Sequence, residues 1–291
     1  MNFLQDLRAI AETALDHYGL THSSTEDMTT ILHKWTNVQL KLINPTPRKL
    51  FVSNKLRTST LEPTIKSLIN LIANKFVNGI NVNAHLSTRI FKEDYTDYLF
   101  SDWGIYHLHL NVAPDPDNPK FVKRSNKLLF LMLKGQNVYF IDVRDHNENY
   151  VFAQKDVLQI VHNNWPEIIA RYKLKGISLA HGSEINDPEE IQKLRKAGVT
   201  IAQTIGDVVY APPGGGITTA STSAKVVEEV DRLLLITTNA EILARNNEQT
   251  FLQKVKELHP HQDILDLRLT ISDKGLCIID TISMTVVVCI Q

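Results

Sequence analysis

The spacing of apolar positions changes along the chain, and each period predicts an element. In residues 3–18, FLQDLRAIAETALDHY, apolar residues recur at helical spacing around Asp6, Arg8 and Glu12, which predicts an amphipathic helix. A Ser/Thr-rich break, THSSTED, follows. Two β-prone runs, WTNVQLKLI and KLFVSNKL, flank NPTPR and predict a hairpin. LEPTIKSLINLIANKFVNG then sets Ile65, Leu68, Ile69, Ile72 and Phe76 at helical spacing, with Pro63 near the start and Gly79 past the end.

Period two takes over in the middle of the chain. GIYHLHLNV, NKLLFLMLK and NVYFIDV predict three strands, the last two joined by a tight Gly135-Gln136 turn. LLFLML is apolar at every position, so it is expected as the central strand, covered on both faces. QKDVLQIVHNNWPEIIARYK returns to helical spacing, interrupted at Pro166. Past Gly176 the pattern predicts a short helix in DPEEIQKLRKAG, a hairpin turning at Gly206-Asp207, a long helix after a Gly-rich loop, and two or three strands around SDKG.

The fold class is therefore α+β: an antiparallel meander packed between helices, followed by a second α+β half. Three segments are expected, with residues 1–58 an N-terminal helix and basic hairpin, 59–175 a helix–meander–helix core, and 176–291 a C-terminal α+β subdomain.

Composition changes this picture only in places. The 291 residues are 43% hydrophobic and 22% charged, ordinary for a globular chain and unlike a disordered one. No apolar run reaches the roughly 20 residues of a membrane helix, and the first residues lack the apolar region of a signal peptide. The only two cysteines, Cys277 and Cys289, stand twelve apart in apolar sequence, neither a disulfide framework nor a zinc spacing. That usage fits a reducing cytoplasm.

The net charge of −1 hides a local asymmetry. Residues 29–75 hold eight basic side chains against the single Glu62, a balance of +7. Lys41, Arg48, Lys49, Lys55 and Arg57, with Lys123 and Arg124 from a second cluster, are candidates to hold a phosphate backbone. The alternative is an ordinary solvated surface.

Five of the eleven histidines fall between residues 85 and 162. On a strand, His107 and His109 share a face, and Asp142, Asp145 and His146 end the third strand of the meander. Two mechanisms suit such a set. Two imidazoles can act as general base and general acid in metal-independent RNA cleavage, or the histidine pair and a carboxylate can hold a divalent metal. Histidines hydrogen-bonded within the core are the plain alternative. No other cofactor is implied. The Gly214–Gly216 run lacks the Lys-Ser/Thr of a phosphate loop and reads as a tight turn before a helix cap. Ser183 and Ser223 lack a nucleophile-elbow context.

Helices followed by LLFLMLKGQNVYFIDVRDHNENY and a further helix, within residues 61–171, resemble the core of RelE/ParE-type toxin ribonucleases. The resemblance implies RNA cleavage, often on the ribosome, in toxin–antitoxin or anti-phage defence. It transfers no catalytic residue. Two functions are thus expected: a histidine-based endoribonuclease, or a noncatalytic nucleic-acid- or protein-binding module with an antitoxin or defence partner. Converging imidazoles in a cleft favour the first, and imidazoles sealed in the interior favour the second.

Overall fold

The computed structural model describes residues 1–92, 95–177, 185–219 and 221–290, so the start of the AHGSEINDPEE loop, with Ser183, lies outside them. In chain order the elements are helices α1 (Phe3–Tyr18) and α2 (Met28–Lys41), strand β1 (Lys49–Val52), helices α3 (Asn54–Thr58), α4 (Pro63–Val77) and α5 (Tyr98–Trp103), and strands β2 (Ile105–His109), β3 (Lys127–Lys134) and β4 (Asn137–Asp145). Helices α6 (Asp156–Asn164), α7 (Pro166–Ile169) and α8 (Pro188–Lys196) come next, then strands β5 (Gln203–Ile205) and β6 (Val208–Tyr210), helices α9 (Ala224–Asn246) and α10 (Glu248–Leu258), and strands β7 (Leu267–Ser272), β8 (Gly275–Asp280) and β9 (Thr285–Cys289). The chain is α+β, as its pattern predicts.

The two compact units do not follow the three sequence segments. One unit is residues 40–225, and the other joins residues 1–39 to residues 226–291. In the second of these, α1 buries Phe3, Leu7, Ala11 and Leu15, one residue per turn. Asp6 Oδ2 accepts a hydrogen bond from the Leu269 N–H at 3.0 Å, so α1 covers the outer edge of β7. The sheet order is β7-β8-β9, antiparallel throughout. Cys277 and Cys289 are cross-strand partners there and form a disulfide, which corrects the expectation that their spacing is not one of a disulfide. The argument from cysteine usage for a reducing compartment goes with it. Among the described residues no helix is long and apolar enough to cross a membrane.

Residues 40–225 are built on a four-stranded sheet of order β1-β4-β3-β2. The meander β2–β3–β4 is antiparallel as expected, and Leu128 to Leu131 of its central strand are fully buried. Alternation along β3 divides the interior into two cores. Leu128 and Phe130 pack with Ile141, Val157 and Val161 on one face, while Leu129 and Leu131 pack with Phe140, Ile72 and Phe76 on the other. Pro166 ends α6 and starts α7, the interruption its position predicts.

The N-terminal hairpin is a correction. WTNVQLK of the first run belongs to α2, whose buried Ile31, Leu32, Trp35 and Val38 follow helical spacing, and of the second run only KLFV is a strand. That strand pairs in parallel with β4, Lys49 opposite Asn137 and Val52 opposite Phe140.

Candidate functional site

Strand β2 begins abruptly. Gly104, in the left-handed conformation at φ 65°, ends α5 and turns the chain into β2. The N-cap of α5 is Asp97, whose Oδ1 accepts from the Phe100 N–H at 3.0 Å. The other oxygen of Asp97 lies 3.3 Å from His107 Nδ1, close enough for an ion pair yet outside hydrogen-bonding geometry, because that nitrogen has no hydrogen-bond partner among the described residues.

A lysine completes this corner. Lys41, at the end of α2, is 5% exposed, and its Nζ donates to the Tyr95 carbonyl at 2.9 Å. Burial pulls its ammonium down to about 8, against the opposing pull of Asp97. Lys41, Asp97, Tyr106 and His107 line a cavity of about 10 Å³, which matches a single water rather than a substrate.

His109 is sealed more tightly, at 1% exposure. Its Nδ1 accepts from the Ser125 N–H at 3.3 Å, and its carbonyl accepts from His85 Nδ1 at 3.1 Å. His85 in turn accepts from Lys75 Nζ at 3.0 Å through Nε2. Burial, reinforced by His107, Arg124 and His146, lowers His109 to about 4, so its ring is neutral near pH 7. Burial also lowers His146, with Arg124 adding to the effect.

His107, His109 and His146 are brought together, as the pattern predicts. The rings of His109 and His146 stack with centroids 5.9 Å apart, and Phe152 touches both His107, at 4.7 Å, and His146, at 6.2 Å. Only His146 reaches solvent, where Arg124 Nη2 donates to its Nε2 at 3.1 Å. His107, 6% exposed, and His109 therefore do not line a cleft, which corrects the expectation that they form its wall. The face they share with Ile105 is itself a core face.

The two aspartates do not join them. Register places Asp142 opposite Phe130, which is opposite His107. Asp142 thus stands two strands from that imidazole, about 10 Å, with Phe130 between. It serves Arg144 instead. The Arg144 guanidinium, 8% exposed, contacts Asp142 at 2.9 Å, Glu148 at 3.3 Å and Asp156 at 2.5 Å. Lys55 Nζ lies 3.5 Å from the same Asp142. Asp145 follows Arg144 on the opposite face of the strand, and it pairs with Lys127 at 3.3 Å. Among the described residues no group of three His, Cys, Asp or Glu side chains has the geometry to hold a metal ion.

The basic candidates divide as well. Lys41 is buried, so it cannot face a phosphate backbone, and Arg48 is half-buried, donating to the carbonyls of Gly135 and Asn44. Both are corrections to the basic set. Lys49, Lys55, Arg57, Lys123 and Arg124 are exposed. Asp97 and Phe152 were absent from the sequence reading, although an Asp three residues before Phe100 in DYLFSDWG is a legible N-cap signal.

No family model matches the chain, and neither does any curated protein or solved structure.

Proposed function

We propose that the chain is a nucleic-acid-binding module that holds single-stranded RNA on exposed basic side chains without cleaving it. One contrast supports this reading. The imidazoles that acid–base chemistry would need, His107 and His109, are sealed, whereas Lys49, Lys55, Arg57, Lys123 and Arg124 face solvent. A buried ring has no route to a substrate proton. Exposed cations gain by releasing counterions from a phosphate backbone, whatever its sequence.

The test is binding of a labelled 20-nucleotide RNA, followed by anisotropy across a salt series. Affinity is expected to fall linearly on logarithmic axes, with each phosphate contact contributing roughly −0.7 to the slope. Lys49→Gln/Lys55→Gln/Arg57→Gln should flatten that slope, and the RNA should remain intact. A salt-independent signal, or none, would remove the reading.

A second reading, endoribonuclease action, draws on the half-exposed His146 beside the Arg124 guanidinium. That pair offers one base and one cation for a charged phosphorane. Chelator-resistant RNA cleavage that disappears in His146→Ala would favour it. The resemblance to RelE/ParE-type cores points the same way.

A further inference from the structure

Within residues 40–225, a second cavity lies apart from the histidines. It measures about 200 Å³, and its walls include Phe100, Trp103, Met132, Leu133, Ile168 and Tyr172. Gly214 forms part of its lining and is held hard against α5. Its N–H donates to the Asp102 carbonyl at 2.8 Å, and a Cβ at this position would stand 1.9 Å from the Ser101 oxygen. The glycine run, expected as a tight turn before a helix cap, is thus also a packing device, and the wall it makes is preformed.

The lining of this apolar space holds lysine, serine and tyrosine side chains and, among the described residues, no carboxylate. Trp103 is 1% exposed, and its indole Nε1 has no hydrogen-bond partner among the described residues. A buried indole N–H ordinarily finds an acceptor. Around Tyr172, Lys134 Nζ sits 5.9 Å from the ring centroid and the Arg171 guanidinium 4.6 Å from it. Neither cation has a carboxylate partner among the described residues. Both therefore place positive charge beside Tyr172, one wall of the cavity.

An apolar cavity of about 150 Å³ admits a benzene ring. The larger space here admits a ring or a short alkyl chain with a head group. We propose that this cavity binds a small amphipathic monocarboxylate, its phenyl or short alkyl body against Phe100, Met132 and Ile168 and its carboxylate at Lys134. A cationic head group meets Lys134 and Arg171 with like charge and is excluded.

The probe is 3-phenylpropionate, titrated into the full chain beside 3-phenylpropanol and 3-phenylpropylamine. Heat of binding and the Trp103 indole N–H signal, assigned with Trp103→Phe, are the readouts. The carboxylate should bind saturably at one site, about tenfold or more tighter than the alcohol, with the amine silent, and should shift the Trp103 signal. Lys134→Gln, an exposed change, should weaken the carboxylate about tenfold and leave the alcohol unaltered. Ile168→Trp, which fills the space, should abolish both while the circular dichroism spectrum is retained. If that variant unfolds, the Lys134→Gln comparison and the Trp103 shift decide. Absence of saturation up to about 10 mM, equal binding of amine and acid, or an unmoved Trp103 signal overturns the proposal.

Discussion

The two ends of the histidine group have the same chemistry and opposite environments. At one end, His109 is closed off by the backbone at Ser125 and lowered to about 4. At the other, His146 stacks on it yet reaches solvent beside Arg124. What separates them is the sheet. His109 stands on β2 among core residues, whereas His146 follows the end of β4, where the chain leaves the interior. An imidazole acquires a role from what lies over it, and a pattern of histidines carries no record of that cover.

The contrast can be broken hardest from beneath. Phe130 underlies His107 and contacts Phe152, so Phe130→Ala removes the floor of the sealed end. It is expected to cost about 3–5 kcal/mol, read from chemical denaturation. Next comes Arg144→Ala, which leaves Asp142 buried with only Lys55 nearby. Breaking a buried ionic cluster on one side costs about 3 kcal/mol. The replacement Arg144→Met with Asp142→Leu should recover most of that loss.

Acid should act on the sealed end. The folded ring of His109 sits at about 4, below the ordinary 6.5, so as pH falls the unfolded chain takes up its proton first. Stability from this group is complete above pH 6.5 and is lost as pH falls through about 4. The loss between pH 7 and 4.5 is about 2 kcal/mol. His109→Gln should shrink the difference between urea midpoints at those two pH values. A variant with the wild-type pH dependence would place His109 in contact with water.

The exposed end should behave in the reverse manner. Arg124→Gln alters a solvent-facing contact, so its effect on stability should stay within about 0.5 kcal/mol. Its effect on RNA binding should be the larger one, a shallower salt slope. Should the same change lower the denaturation midpoint clearly, Arg124 would count as part of the fold rather than of a binding surface.

How much of this was legible follows from which contacts are local. The all-apolar LLFLML run announced a strand covered on both faces, and β3 is one. The Pro and Gly punctuation around α4 held for the same reason, since caps depend on neighbouring residues. WTNVQLKLI misled because its alternation also fits a stretch of helix. The period becomes unambiguous only when Ile31 and Leu32 are included. Lys41 looked like a surface cation, yet its acceptor is the carbonyl of Tyr95, 54 residues away. The aspartates failed for a related reason. Asp142 does share a face with His107, but Phe130 and a two-strand separation intervene, and Arg144 holds the carboxylate. The disulfide was within reach, since Cys277 and Cys289 lie on the two arms of one hairpin.

The interrupted unit imposes an order on synthesis. Residues 1–39 leave the ribosome before residues 40–225, but β7, which α1 covers, begins only at Leu267. At 5–20 residues per second, the intervening residues 40–225 occupy roughly 10 to 40 s of translation. Throughout that interval Phe3, Leu7 and Leu15 have no sheet to meet, while residues 40–225 become complete and free to fold. During that interval the nascent chain carries an unshielded amphipathic helix, open to wrong partners until β7 emerges.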